Sequence, residues 1–263
     1  MKTSKRLILV SGQKGGVGKS TFARILLDSL RGRGRSVAAF DGDGAVGHLL
    51  QFYGEKQNGK LALSQNPLLG VERYDLRHRR DRERLLESLH LNASVLLHDL
   101  PAGALGTITE AVDVTGQSAI ALVDAAKQMG YRTTVVIVIN PDRASAQAVE
   151  TTINAFGDKA QYVVVKNLNG CALEDFIIYD GFDDATGQHT GGGGRRAALA
   201  SKARELVMPE IFRTTAVKID LWSLRFRDAV TDPHMHIQDR TRVSQWMTLM
   251  DAQIDKAGKR LGV

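Results

Sequence analysis

Short runs of apolar residues alternate along the chain with longer segments in which apolar residues recur at helical spacing. Five runs rich in Val, Ile and Leu predict buried strands: Arg6–Val10, Ser36–Phe40, Val95–His98, Thr134–Ile139 and Tyr162–Val165. Four segments between them predict helices: Lys19–Arg31, Arg82–His90, Ser118–Met129 and Ser145–Phe156. Because strands that alternate with helices are typical of βαβ units, we predict a doubly wound, mostly parallel α/β sheet with helices on both faces.

The segment 181–194 interrupts this alternation. It contains Asp183-Asp184 and four successive glycines, Gly191–Gly194, and this composition predicts a mobile loop. Residues 195–263 predict a helical C-terminal layer. At 263 residues, a single α/β domain spanning 1–263 accounts for the chain.

Composition narrows the class of protein only slightly. Cys171 is the single cysteine, so an internal disulfide or a CxxC pair is excluded, and we expect a cytoplasmic protein. No apolar run approaches the roughly 18 residues that indicate a membrane span. The net charge of +6 weakly favours an acidic partner such as nucleic acid or anionic lipid.

The strongest chemical signal is a glycine-rich turn between the first strand and the first helix. It reads Gln13-Lys14-Gly15-Gly16-Val17-Gly18-Lys19-Ser20, and Thr21 follows. Glycines let backbone N–H groups converge on phosphate oxygens, and a helix N-terminus favours negative charge. In such a phosphate loop, we expect Lys19 to pair with the β- and γ-phosphates and Ser20 to bind Mg²⁺.

Acidic residues follow the next two predicted strands. Asp41-Gly42-Asp43 comes after the second strand, and His98-Asp99-Leu100-Pro101-Ala102-Gly103 comes at the end of the third. Carboxylates at the carboxyl ends of strands beside a phosphate loop hold Mg²⁺ or orient an attacking water. Either role is open to the acids of these two segments.

Lys14, an additional lysine early in the phosphate loop, identifies a particular class. The run KGGVGKS resembles the deviant Walker A P-loop ATPases of the ParA/MinD type, and the form QKGGVGKS is typical of the ParA partition branch. The resemblance implies that ATP closes two subunits into a sandwich homodimer and that Lys14 reaches the partner's nucleotide. It also implies slow ATP hydrolysis that a partner protein stimulates, with Lys14, Lys19 and Asp43 as the catalytic residues.

The same resemblance assigns further roles. Asp43 would lie near the hydrolytic water, and Asp99 would hold the Mg²⁺ shell through water, with Ser20 and Asp41 as the other predicted metal ligands. Gly103 would offer a backbone N–H to the γ-phosphate. Asn167 would read the purine edge, and Pro209 would line the base pocket. ParA proteins usually have Pro-Gln where this chain has Gly44-Ala45.

The cargo of such a switch is less defined, and three readings compete. Non-specific DNA binding, for plasmid partition or conjugation, is favoured by basic residues of the distal third: Arg195, Arg196, Lys202, Arg204, Arg213, Lys218, Arg225, Arg227, Arg240, Arg242, Lys256, Lys259 and Arg260. A MinD-like membrane switch would use a C-terminal amphipathic helix, and positions 243, 246, 247, 250 and 254 have helical spacing. The third reading is a synthetase or metallochaperone on the same scaffold.

Overall fold

The computed structural model describes residues 5–44, 47–113, 115–116 and 118–263. Its strands are β1 (Lys5–Ser11), β2 (Val37–Asp41), β3 (Lys56–Gln57), β4 (Lys60–Leu61), β5 (Glu72–Arg73), β6 (Val95–Asp99), β7 (Tyr131–Ile139), β8 (Gln161–Asn167), β9 (Phe182–Asp183), β10 (His189–Thr190) and β11 (Arg204–Met208). Its α-helices are α1 (Lys19–Gly32), α2 (His48–Tyr53), α3 (Glu83–Glu87), α4 (Ala104–Val112), α5 (Ile120–Gln128), α6 (Arg143–Phe156), α7 (Ile177–Asp180), α8 (Gly193–Ala200), α9 (Arg213–Leu221), α10 (Phe226–Ala229) and α11 (Ile237–Ala257). Turns of 3₁₀-helix lie at Ser88–His90, Leu173–Asp175 and Gly258–Leu261.

The central sheet has seven strands in the order β11-β8-β7-β1-β6-β2-β5, and every neighbouring pair is parallel. The predicted doubly wound parallel sheet is therefore confirmed. Asp99 lies opposite Val10 on one side and opposite Asp41 on the other. This register brings the phosphate loop and the acidic segments to the same edge of the sheet, where ligands bind in open α/β folds.

Two hydrophobic cores cover the two faces of the sheet. Ile8 and Val10 belong to the core that includes α1 and α11, whereas Leu7 and Leu9 belong to the core that includes α5 and α6. Because side chains alternate between faces along a strand, a run of consecutive apolar residues is needed to fill both cores. This explains why the central strands could be recognised from their sequence.

The five predicted strands and four predicted helices are present, and some boundaries differ. β7 begins at Tyr131, three residues before the predicted start, because residues 131–133 also pair with β1. α6 begins at Arg143 because Asp142 caps it, its carboxylate accepting a hydrogen bond from the Ser145 amide at 2.7 Å.

The structure differs from the predicted helical layer over 195–263 at one strand. β11 pairs in parallel with β8, with Arg204 opposite Val163 and Met208 opposite Asn167. It is an edge strand that starts with two charged residues, Arg204 and Glu205, so its apolar run is short.

The segment 181–194, predicted as a mobile loop, contains the β9–β10 hairpin and the first two residues of α8. Gly194 is buried, and a Cβ atom there would lie 2.5 Å from the carbonyl oxygen of Ala146 on α6. The last glycine of the run thus permits close packing of two helices.

The C-terminal helix α11 packs its apolar stripe against the chain's own core. Val243, Trp246, Met250 and Ile254 are buried there, and Met247 is partly buried. Across the described part of the chain, no helix combines the length and the apolar character needed to cross a membrane.

Candidate functional site

The phosphate loop connects β1 to α1 at the carboxyl edge of the sheet. Gly15 and Gly16 lie exposed at its tip, whereas Val17 is buried in the core. Lys19 is the first residue of α1, and its ammonium group donates a hydrogen bond to the carbonyl oxygen of Lys14 at 3.0 Å. The lysine side chain therefore folds back over the loop, towards the place where phosphates bind in such turns.

Burial lowers the pKa of Lys19, and the carboxylates of Asp99 and Asp43 oppose this effect. The guanidinium of Arg77 lowers the pKa further. The charges of Asp99, Asp43 and Arg77 therefore all act on the ammonium group of Lys19. The site thus combines negative and positive side chains.

Asn167 fastens the phosphate loop to the end of β8. Its side-chain amide nitrogen donates to the carbonyl oxygen of Val17 at 3.0 Å, and its oxygen accepts from the Asn169 amide at 3.1 Å. Gly18, with φ of 98°, lies against this side chain, and a Cβ atom would approach the Asn167 amide nitrogen to 2.5 Å. Glycine is therefore required here for its positive φ and for the close approach.

Asp99, the last residue of β6, is a buried acid of the site. It is 3% exposed, it accepts a hydrogen bond from the hydroxyl of Ser20, and its Oδ1 atom is buried with no hydrogen-bond partner. Burial and the nearby Asp41 carboxylate raise the pKa of Asp99 to about 8. A buried carboxylate oxygen without a partner is costly unless a ligand, a proton or a cation satisfies it.

Asp41 differs from Asp99 because the backbone satisfies both of its oxygens. One oxygen accepts from the Asp43 amide at 3.2 Å, and the other accepts from the Leu50 amide at 3.0 Å. Burial raises the pKa of Asp41, and the backbone hydrogen bonds oppose this effect. Asp41 therefore anchors the loop after β2 to the first turn of α2.

The hydroxyl oxygen of Ser20 and the carboxylate oxygens of Asp99 are the type of ligand atom that Mg²⁺ binds. Mg²⁺ prefers oxygen ligands and is typically held by one or two carboxylates together with substrate phosphates and water. Within the described ranges, no group of three or more His, Cys, Asp or Glu residues is arranged to hold a metal ion. The oxygen donors of Ser20 and Asp99 therefore fit a magnesium ion that also binds phosphate oxygens.

Asp43 lies on the segment that continues β2. Its carboxylate accepts a hydrogen bond from the guanidinium of Arg77 at 2.7 Å, and its backbone forms an antiparallel bridge with Asp75. Gly44, the next residue in the chain, lies so close to Asp75 that a Cβ atom at position 44 would be 2.6 Å from the Cβ atom of Asp75. This approach accounts for glycine at 44; Ala45, the other departure from the ParA pattern, lies outside the described residues.

Lys14 and Gly103 flank the loop on the side of α6 and α4. The Lys14 ammonium lies 3.0 Å from the Asp142 carboxylate, the same carboxylate that caps α6. Burial acts to raise the pKa of Asp142, but hydrogen bonds from Ser145 and Lys14 outweigh it and lower the pKa. Gly103 precedes α4 with φ of 67°, and its amide donates to the Gly12 carbonyl oxygen at 3.4 Å.

A cavity of about 460 Å³ opens beside the phosphate loop. Its walls come from α1, the turn after β8, the turn after β11, and α9, and they include Thr21, Asn169, Glu210 and Ile211. Pro209 lies next to this wall, and its carbonyl oxygen accepts a hydrogen bond from the indole of Trp246 at 2.7 Å. Of the residues predicted from the sequence, Thr21 lines the cavity, whereas Asn167 and Pro209 precede the lining residues Asn169 and Glu210 in the chain.

Two partners of the predicted residues were not identified from the sequence. Arg77, which contacts Asp43, and Asp142, which contacts Lys14, are distant in the chain from the residues they pair with. Arg77 belongs to the basic run Arg77-His78-Arg79-Arg80, in which no local sequence pattern indicates the arginine that pairs with Asp43.

A family model described as the CobQ/CobB/MinD/ParA nucleotide binding domain matches residues 8–170. Similar solved structures include the septum site-determining protein MinD complexed with Mg-ADP from Pyrococcus horikoshii OT3. Its sequence is 17% identical, the TM-score is 0.52, and the match covers 97% of this chain and 98% of the MinD chain. A ParA family ATPase from Chlorobium tepidum TLS is 11% identical with a TM-score of 0.52, covering 95% of this chain and 100% of that chain. At these identities the structural likeness shows the fold alone. No curated protein matches the sequence significantly.

The family match covers more than half of the chain and includes the phosphate loop, Asp41, Asp43, Asp99 and Asn167. Together with the convergence of Lys19, Ser20 and Asp99 at one edge of a parallel sheet, it establishes that this chain belongs to the CobQ/CobB/MinD/ParA nucleotide-binding domain family.

Proposed function

We propose that this protein is an ATP-dependent switch that binds ATP with Mg²⁺ and hydrolyses the nucleotide. The observation that carries this proposal is Asp99, a buried carboxylate that accepts from Ser20 beside Lys19 and has one oxygen without a partner. A magnesium ion with a bound triphosphate would satisfy that oxygen and favour the ionised carboxylate.

In this mechanism, the chain's own residues position the phosphates and the attacking water. Lys19 would exchange its bond to the Lys14 carbonyl for phosphate oxygens, and the exposed backbone of Gly15 and Gly16 would cradle them. The magnesium ion, held through Ser20 and Asp99, would neutralise charge on the phosphates. Asp43 would orient the water, and the Gly103 amide would contact the γ-phosphate.

The cavity beside the loop suits the nucleoside part of ATP. Its wall includes Thr21 from the first turn of α1, and Glu210, which follows Pro209 in the chain. Because the Asn167 amide already bonds Val17 and Asn169, Asn167 would support the base pocket and the phosphate loop together.

A sandwich homodimer is the second part of the proposal. Lys14 is half exposed and pairs with Asp142 at 3.0 Å within its own chain. Exposed ion pairs of this kind are worth about 0–1 kcal/mol, so a partner's triphosphate would compete easily for the lysine. ATP binding by two copies would then transfer Lys14 from Asp142 to the opposite nucleotide.

For the cargo, we propose DNA, as in the ParA partition branch, with release from DNA after hydrolysis and stimulation by a partner protein. Several distal basic residues already contact carboxylates of their own chain: Arg195, Lys218, Arg225, Arg227 and Arg242. The DNA contact would therefore rest on other basic residues, among them the exposed Arg196, Arg204 and Arg213. The membrane alternative has less support, because the apolar stripe of α11 is buried.

The first test is nucleotide binding and turnover by the purified chain, with Lys19→Ala as the matched loss-of-function variant. We expect Mg²⁺-dependent ATP binding and slow release of phosphate, both lost in that variant. Absence of ATP binding by the wild-type chain would reject the proposed switch.

The second test is co-sedimentation with non-specific duplex DNA and, separately, with anionic liposomes, each with ATP, with ADP and without nucleotide. Retention on DNA only with ATP, lost at high salt, is the expected result. Retention on liposomes instead would reject the DNA assignment and favour the membrane alternative.

A further inference from the structure

Arg77 is held beside the nucleotide edge by the backbone of its own segment. Residues 72–76 run along residues 40–44, with Tyr74 N donating to Asp41 O at 3.0 Å and Leu76 N donating to Gly42 O at 3.1 Å. The Asp75 carboxylate then accepts from the Arg77 amide at 3.0 Å and turns the chain. The position of the Arg77 backbone is therefore fixed relative to Asp43, independently of the contact between their side chains.

The side chains themselves are free to exchange partners. The Arg77 guanidinium and the Asp43 carboxylate are 2.7 Å apart, and their side chains are 51% and 34% exposed. An ion pair of this exposure contributes about 0–1 kcal/mol, so a more highly charged anion competes with it readily. The fork of N–H donors in arginine also matches phosphate oxygens better than it matches one carboxylate oxygen.

The charge of Arg77 reaches the phosphate loop. Its guanidinium is among the groups that lower the pKa of Lys19, and the Asp43 carboxylate acts on the same lysine in the opposite direction. In the sheet, Asp41 at the end of β2 lies opposite Asp99, and Asp99 lies opposite Val10 near the end of β1, where the phosphate loop begins. Asp43 follows Asp41 by two residues, so the ion pair lies at the same edge of the sheet as the phosphate loop, on the side where Asp43 is proposed to orient the water.

We propose that Arg77 is a ligand of the terminal phosphate of ATP, supplied by the same chain. When the triphosphate binds, the guanidinium exchanges the Asp43 carboxylate for γ-phosphate oxygens, and Asp43 becomes available to orient water. This inference rests on the proposed function. ADP lacks the γ-phosphate, so the exchange distinguishes the two nucleotides and couples the segment 72–77 to the state of the site.

The test compares binding of a non-hydrolysable ATP analogue and of ADP, each with Mg²⁺, by isothermal titration calorimetry. Arg77→Ala should weaken the affinity for the analogue about tenfold, within the range of one charge-assisted hydrogen bond, and leave the affinity for ADP unchanged. Arg77→Lys keeps the charge without the fork of donors and should recover part of the loss. Arg79→Ala, an exposed arginine of the same turn, is the matched control and should bind both nucleotides like the wild type.

Steady-state turnover provides a second readout. Loss of a γ-phosphate ligand should lower kcat for ATP in Arg77→Ala, whereas a purely inhibitory pair with Asp43 would make kcat rise on removal of the arginine. A rise in kcat, an unchanged affinity for the analogue, or an equal loss for both nucleotides would overturn the inference while the proposed switch stands. A wild-type chain that binds neither nucleotide would reject the proposed switch itself.

Discussion

Replacing Asp99 by asparagine should make the free protein more stable at alkaline pH, although it removes a proposed metal ligand. The pKa of Asp99 is raised to about 8, chiefly by burial and then by Asp41. The folded chain therefore holds a proton on Asp99 at pH values where the unfolded chain has lost it. The stability that this proton contributes is fully present below the pKa of Asp99 in the unfolded chain. It is lost as the pH rises through the pKa of Asp99 in the folded chain.

The size of the effect follows from the pKa values of the two states. With about 8 in the folded chain and the ordinary 3.8 in the unfolded chain, raising the pH from 6 to 8 removes roughly 2 kcal/mol of stability. For a chain of this length, this corresponds to a fall in Tm of about 4–8 °C. The asparagine side chain does not titrate, so that part of the fall should be absent in Asp99→Asn.

The assay is thermal unfolding of wild type and Asp99→Asn between pH 6 and pH 8 without nucleotide or Mg²⁺. The buried His98, whose pKa is lowered to about 3 by burial and then by Arg84, contributes equally to both proteins and cancels in the difference. Asp124→Asn, which alters an exposed carboxylate paired with Lys159, is the control and should parallel the wild type. Parallel Tm profiles for wild type and Asp99→Asn would refute the buried, protonated carboxyl group.

Three further substitutions test other parts of the site and core. Gly18→Ala places a Cβ atom 2.5 Å from the side-chain amide nitrogen of Asn167, at a backbone φ of 98°. We therefore expect the free energy of unfolding to fall by about 1–3 kcal/mol and nucleotide binding to weaken, as measured by thermal unfolding and calorimetry. Wild-type values in both assays would contradict the close packing of Gly18 against Asn167. Lys14→Ala should keep nucleotide binding and lose ATP-dependent dimerisation, followed by light scattering, and a variant that still dimerises would exclude the sandwich. Tyr53→Phe removes the hydroxyl that donates a hydrogen bond to the buried Asp28 carboxylate at 2.8 Å. Urea unfolding should show that the free energy of unfolding falls by about 1–3 kcal/mol. An unchanged free energy would show that another donor replaces the hydroxyl.

The sequence predicted the parts of the fold in which local pattern and burial coincide. β1, the glycine-rich turn and α1 form one continuous signal, and β7 is apolar because helices cover both of its faces. β11 was missed because an edge strand carries charged residues, and here only its last three positions are apolar. The run Gly191–Gly194 predicts a flexible loop, but the sequence alone does not show that Gly194 is needed for close packing against α6.

The candidate site was predicted in its backbone elements but not in its pairings. The loop and the acids after β2 and β6 were recognisable because each follows a strand directly. The contacts of Lys14 with Asp142 and of Arg77 with Asp43 join residues separated by 128 and 34 positions. Such pairings depend on strand order, and a single sequence does not contain that information in any local pattern.

The hydrogen bond from Trp246 to Pro209 gives the protein an intrinsic optical reporter. The indole donates to the turn that borders the cavity, and its ring lies 4.8 Å from that of Phe226, which lines the same cavity. The chain's other tryptophan, Trp222, has its ring centroid 5.5 Å from that of His234, with the two rings tilted by 31°. With Trp222→Phe as background, the emission of a single indole reports on the cavity wall, so its occupancy can be followed in real time without a labelled nucleotide.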